Sequence, residues 1–157
     1  MSSKLLLPNK YKIIGWFLLI PVTIIGLILS FGGMGTFSIN SKVFALFNEI
    51  MGPTEFFKVI DSNITPTIVG ALFIIGAMMV GFSKEKREDE FIEKIRLSSL
   101  LWAVWVNYTL LFVSFLFVYG GSFFTVMIYN MFTVLIIFII RFNYILYKNS
   151  KSESNEK

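Results

Sequence analysis

The sequence predicts an all-α, polytopic membrane protein: four transmembrane helices in an up-down bundle, both termini cytoplasmic, with an amphipathic outer loop. Three observations carry this expectation. First, 55% of the 157 residues are hydrophobic and only 15% are charged, against about 25% charged in an average soluble domain, and mean hydropathy is +0.73. Second, residues 13–31, 64–82, 98–119 and 123–140 are each apolar over close to the roughly 20 residues that a helix needs to cross hydrocarbon. None of these stretches contains Asp, Glu, Lys or Arg, as expected when a charge at mid-bilayer costs about 2.5 kcal/mol or more. Third, all of the 14 basic residues except Lys42 and Lys58 fall on one side of that arrangement, and the positive-inside rule makes that side cytoplasmic. Residues 1–157 read as a single membrane domain.

The first span, 13–31, follows Lys4, Lys10 and Lys12 and contains Pro21. It is too long for a signal-peptide core and leads into Phe31, Gly32 and Gly33 rather than a small-x-small cleavage site, so it reads as an uncleaved first helix. Thr23, Gly26, Ser30 and Gly33 recur along it at helical spacing. Small residues on one stripe let helix backbones approach in lipid, and the second span, 64–82, has a matching stripe through Thr67, Gly70, Ala77 and Gly81. Gly26 and Gly70 fall at similar depth, so Gly26, Ser30, Gly70 and Ala77 are the expected packing residues between these two helices.

The intervening outer loop, 32–63, is too apolar for a solvated linker. Val43, Phe44, Phe47, Ile50 and Met51, and then Phe56, Phe57, Val59 and Ile60 after Gly52-Pro53, recur at helical spacing. Two short amphipathic helices on the outer membrane surface, or capping the bundle, fit that pattern. The sequon Asn63-Ile64-Thr65 abuts the membrane and precedes Pro66, which gives it little weight.

Between the second and third spans, residues 83–97 form a cytoplasmic extension with equal numbers of acidic and basic residues from Ser83 to Arg96. Ser83 is the expected N-cap, and the oppositely charged pairs Lys86 with Glu90 and Glu90 with Lys94 are four apart, as helix-supporting pairs are. A single helix from about Lys84 to Tyr119 follows, roughly 54 Å long. Phe91, Ile92 and Ile95 make an apolar stripe on it that needs cover. Lys86, Arg87, Glu88, Asp89, Glu90, Phe91, Ile92, Ile95 and Arg96 are therefore the candidate docking residues. Glu88, Asp89 and Glu90 do not read as metal ligands, because consecutive helix positions diverge by about 100°.

The third and fourth spans, 98–119 and 123–140, contain Asn107 and Asn130, the strongly polar side chains nearest mid-bilayer. In an antiparallel pair they lie within roughly 5 Å in depth, and an unpaired amide facing lipid is costly. An interhelical hydrogen bond is the expected outcome. The tail, 141–157, extends helix four through Arg141, Tyr144, Tyr147 and Lys148 before a polar, disordered end from Asn149. The strings Ser30-Phe31-Gly32-Gly33 and Val118-Tyr119-Gly120-Gly121 hint at a parallel repeat of two hairpins, on a match short enough to be chance.

The composition also excludes chemistry. With no Cys and no His, the chain has no disulfide, thiolate nucleophile or imidazole base. No ionisable relay group other than Tyr lies in the spans, which argues against proton-coupled transport. No catalytic, cofactor-binding or metal-ligating residue is assigned, and nothing points to nucleic acid.

The strings Phe82-Ser-Lys-Glu-Lys-Arg-Glu-Asp-Glu-Phe91, Arg96-Leu97-Ser98-Ser99-Leu100, Met127-Ile-Tyr-Asn-Met-Phe-Thr133 and Arg141-Phe-Asn-Tyr-Ile-Leu-Tyr-Lys148 resemble a group of small four-span membrane proteins from Bacteroidota. The resemblance covers about residues 70–148. It implies a bacterial inner-membrane location and supplies no activity, because none is established for the group. The leading expectation is a non-enzymatic regulatory, sensory or accessory subunit that docks a partner through its cytoplasmic face. The alternative is a small-solute or lipid-binding transporter or channel subunit with a cavity under the outer loop. Expected partners are the lipid bilayer and a cytoplasmic protein, with a homo-oligomer left open.

Overall fold

The computed structural model describes residues 6–32, 38–48, 55–86 and 88–155. The elements run α1 (Lys10–Gly32), β1 (Asn40–Asn48), β2 (Glu55–Asn63), α2 (Thr65–Gly81), α3 (Glu90–Phe117) and α4 (Gly121–Asn155). Within α1, α3 and α4, the stretches Lys10–Ser30, Glu90–Phe117 and Gly121–Lys151 are long and apolar enough to cross a membrane, whereas α2, with 17 residues, is shorter. Large apolar side chains point outward from the long helices: Phe17 is 84% exposed, Trp105 76% and Phe117 76%. An apolar surface on that scale suits lipid rather than water, and the protein is a membrane protein built mainly of helices.

The chain divides into two compact units, Met1–Phe17 with Ile74–Lys157, and Leu18–Phe73. In the second of these, β1 and β2 form an antiparallel hairpin running from Asn40 opposite Asn63 to Asn48 opposite Glu55. The expectation of two amphipathic helices in the outer loop is therefore wrong. Apolar runs this short do not separate helix from strand by periodicity, and Val43, Phe44, Val59 and Ile60 are β-branched or aromatic residues that favour a pleated surface. Residues 49–54, including Ile50, Met51 and the Gly52-Pro53 pair, lie outside the described residues. Phe57 has a positive φ of 54°, and its ring lies tilted against that of Phe44, with centroids 6.3 Å apart.

The open end of the hairpin is tied to the start of α2. Ile64 donates its N–H to the Ile39 carbonyl at 2.9 Å, and the Ile39 N–H donates to the Thr65 hydroxyl at 3.0 Å. Asn63 Oδ1 accepts from the Thr65 N–H at 3.0 Å, satisfying one of the backbone donors that a helix start leaves free. Pro66, in the first turn, has no N–H to satisfy. Leu19, Val22, Thr65 and Phe73 are buried in this unit, where α1 approaches α2: a Cβ on Gly26 would meet Val69 Cγ1 at 3.6 Å.

In the other unit α3 and α4 run antiparallel. Phe115 meets Phe123, Asn107 meets Asn130 and Arg96 meets Phe142, so one residue number falls as the other rises. Gly120, with φ +71°, supplies the left-handed turn between them, and the Val118 N–H closes the end of α3 on the Ser114 carbonyl at 2.8 Å. The core is Ala77, Val80, Ile95, Ala103, Phe138, Ile139 and Phe142. Backbones come close at two glycines: a Cβ on Gly15 would lie 2.8 Å from Met79 Cβ, and one on Gly81 would lie 2.6 Å from Phe138 Cε1.

Two expected helix limits are corrected. The third helix starts at Glu90 and not near Lys84, with Asp89 as its cap in place of Ser83: the Asp89 carboxylate accepts from the Ile92 N–H at 2.8 Å. Helix four continues through Asn155 instead of ending near Lys148, because Asn149 to Asn155 contains no Gly or Pro to stop it.

Candidate functional site

The polar chemistry of the described residues gathers where the segment before α1, the turn after α2 and the start of α3 meet. The segment between α2 and α3 is held extended because its backbone has other partners. Leu7 donates to the Phe82 carbonyl at 3.0 Å, Lys84 donates to the Leu7 carbonyl at 2.8 Å, and Asn9 Nδ2 donates to the Lys84 carbonyl at 2.7 Å. Leu7 and Ser83 thereby form a parallel bridge. The Ser83 hydroxyl, fully buried, turns back to the Met79 carbonyl. A helix beginning at Lys84 would surrender these bonds.

Arg96 sits at the centre, 7% exposed. Its Nη1 donates to Glu88 Oε1 at 2.5 Å and its Nη2 to Glu88 Oε2 at 3.1 Å, with a further bond from Nη2 to the Ser83 carbonyl at 3.2 Å. The guanidinium also lies 5.1 Å from the centroid of the Phe142 ring. Planar two-pronged geometry of this kind is what a guanidinium offers a carboxylate and an ammonium does not. Glu88 Oε2 accepts in addition from the Glu85 N–H at 2.8 Å. Burial pushes the Glu88 carboxyl up, but the Arg96 hydrogen bonds, the Glu85 amide and the charges of Arg96 and Lys84 together outweigh it and hold the group below its ordinary value.

A second pair closes the other side. Lys12 Nζ reaches Glu85 Oε1 at 2.5 Å, and the two side chains are each 15% exposed. Lys12 also lies 5.8 Å from the Phe142 ring centroid, so two cations share one aromatic ring. The arrangement is a clasp: charge pairs largely withdrawn from solvent tie the turn after α2 to the first turn of α1 and to α3, and backbone and amide hydrogen bonds tie the same turn to the segment preceding α1.

The chain matches no known protein family, no curated protein and no solved structure.

The structure divides the nine candidate docking residues. Lys86, Asp89, Glu90 and Phe91 are exposed, Glu88 and Ile92 are half-buried, and Arg87 lies outside the described residues. Ile95 and Arg96, counted with the surface, are turned inward at 8% and 7% exposure, because the helix starts at Glu90 and Arg96 is drawn to Glu88. The three-residue apolar stripe is thus reduced at its outer face to Phe91, 56% exposed, with Ile92 beside it.

Asn107 and Asn130 are brought together. Asn107 Nδ2 donates to Asn130 Oδ1 at 3.0 Å, and Asn130 Nδ2 donates to the Asn107 backbone carbonyl at 3.3 Å. Of the packing residues, Ala77 is fully buried and Gly70 is half-buried beside Val69, which faces Gly26. Ser30 is instead exposed, its hydroxyl donating to the Gly26 carbonyl of its own helix at 2.9 Å. Sequence reasoning misses the roles of Lys12, Glu85 and Gly15, and it places Asp89 on the docking surface rather than at the helix cap. The available signal was Lys12 lying at a span edge on the same side as Glu85 and Glu88.

Proposed function

We propose that this chain is a non-enzymatic integral protein of a bacterial inner membrane, a regulatory, sensory or accessory subunit whose cytoplasmic face docks a protein partner. In this reading all four helices span, with both termini in the cytoplasm. Its 17 residues make α2 about 25 Å long, and Ile64 and Phe82 extend its apolar run; a mismatch of a few ångströms costs only fractions of a kcal/mol per ångström. The asymmetry of Lys and Arg supports the orientation. The bacterial inner-membrane location is what the resemblance of residues 70–148 to small membrane proteins of Bacteroidota implies.

The observation that carries the docking reading is Phe91, 56% exposed on the first turn of a helix whose base is fixed by the Arg96 and Glu88 pair. A rigid exposed aromatic flanked by Glu90 and Lys94 is the kind of anchor that protein interfaces use. Tyr144 and Tyr147 on α4, 63% and 67% exposed, extend the aromatic surface. Crosslinking in cells followed by purification should recover the same partner repeatedly with the native chain and lose it with Phe91→Ser. Equal recovery with Phe91→Ser would reject the docking face.

A further inference from the structure

A groove of about 380 Å³ opens along the α3 and α4 pair, lined by Lys94, Ser98, Leu101, Trp102, Trp105 and Arg141, with Leu97 at its edge. Its charged lining is cationic. Neither Lys94 nor Arg141 has an acidic partner among the described residues, although the chain has ten acidic residues. Arg141 is held in place by an aromatic ring instead, its guanidinium carbon 4.5 Å from the Trp102 centroid. Its Nε is buried and has no acceptor among the described residues. In contrast to Arg96, whose charge is matched by Glu88, Arg141 is a positioned donor without an anion.

The order of residues along α3 grades this groove from polar to apolar. Lys94 lies one turn before Ser98, and Trp102 and Trp105 lie one and two turns beyond it, so Lys94 and Trp105 are separated by roughly 17 Å along the axis. Arg141 meets this gradient from α4, directly after the uncharged run 123–140. Cations and a hydroxyl at one end, tryptophans at the next level and leucine alongside match the sequence of layers from phosphate to upper acyl chain in one leaflet.

We propose that this groove is a binding site for an anionic phospholipid. Lys94, Ser98 and Arg141 take the headgroup phosphate, and Leu101, Trp102 and Trp105 take the first part of an acyl chain. Charge complementarity selects the occupant: two cations at headgroup level, with no acidic partner among the described residues, attract a net negative lipid over a zwitterionic one. The proposal requires only that α3 and α4 lie in a membrane and is independent of the docking face.

Tryptophan fluorescence tests it directly, since the chain has three Trp and Trp16→Phe leaves only the two in the groove. Full-length protein is placed in phosphatidylcholine nanodiscs containing a small, equal fraction of chain-brominated phosphatidylglycerol or chain-brominated phosphatidylcholine. Stronger quenching by the brominated phosphatidylglycerol is expected. Lys94→Gln and Lys94→Gln/Arg141→Gln should reduce that preference, by about fivefold for each charge removed. Lys86→Gln/Lys151→Gln, which removes the same charge elsewhere, should leave it unchanged. Equal quenching by the two lipids, a preference that survives both groove variants, or one lost equally in the Lys86→Gln/Lys151→Gln protein would overturn the site. Displacement of the brominated lipid by millimolar inorganic phosphate would also overturn it, assigning the cations to a free anion. Lys94 is exposed, so Lys94→Gln alone decides if the double variant does not fold.

Discussion

Arg96 and Glu88 form a two-pronged ion pair, with Nη1 to Oε1 at 2.5 Å and Nη2 to Oε2 at 3.1 Å, in which the arginine side chain is 8% exposed and the glutamate 20%. This pair bridges the turn after α2 to the second turn of α3. Removing one member strands the other away from water, which costs about 3–5 kcal/mol in buried pairs; the partial exposure of Glu88 puts its case at the lower end. Arg96→Met is expected to destabilise the protein by roughly 3 kcal/mol, and Arg96→Met/Glu88→Met by less than Arg96→Met alone. Unfolding titrations in mixed detergent micelles check both, and a double variant as unstable as the summed effects of Arg96→Met and Glu88→Met would show that the pair is not coupled.

Acid should release the same contact. The Glu88 carboxyl is held below its ordinary value in the folded protein, so its contribution is fully present above the unfolded carboxylate range, near pH 4.3, and declines as pH falls through the lower folded value. Midpoints of thermal unfolding recorded downward from pH 7 are expected to fall more steeply below about pH 4.3 in the native protein than in Glu88→Gln. Parallel curves would contradict this assignment.

The Asn107 and Asn130 pair lends itself to a double-mutant cycle. Interhelical side-chain hydrogen bonds in membranes average about 0.6 kcal/mol and reach about 1.7. Asn130→Leu should cost on the order of 1 kcal/mol because it leaves the buried Asn107 amide unpaired. Asn107→Leu/Asn130→Leu should cost less than the two singles together, and unchanged stability in all three variants would show that this hydrogen bond does not hold the two helices.

Glycine substitutions should separate close approach from simple flexibility. A methyl group at Gly81 would fall 2.6 Å from Phe138, whose ring is fully buried and lies against the rings of Phe82 and Phe142. Gly81→Ala is therefore expected to destabilise by about 1–3 kcal/mol. At Gly26 the nearest atom is 3.6 Å away, an ordinary contact, so Gly26→Ala should be neutral or slightly stabilising. The ratio of the two effects, read from thermal unfolding, is the check.

The long apolar helices were legible because lipid leaves few alternatives: uncharged runs of this length must satisfy their backbone internally. Asn107 and Asn130 could be paired on paper because antiparallel helices convert residue number into depth at a fixed rise. The hairpin was not legible, since Val43, Phe44 and Phe47 satisfy both a helical spacing and a short strand. The clasp was hidden for another reason. Local pairs such as Lys86 with Glu90 described a plausible solvated helix, whereas the bonds that prevent it come from Leu7 and Asn9, more than seventy residues away. Charge patterning along one segment cannot reveal a competitor supplied by another.

Topology is the claim on which the functional reading depends, and the absence of native Cys makes it directly measurable. Single cysteines at Lys42, Lys58, Lys86 and Lys151 would be treated with a membrane-impermeant maleimide in intact spheroplasts and again after lysis. Labelling of Lys42→Cys and Lys58→Cys before lysis, and of Lys86→Cys and Lys151→Cys only after it, is the expected result. Labelling of Lys86→Cys in intact spheroplasts would place the clasp and Phe91 outside the cell, and a cytoplasmic docking face would be excluded.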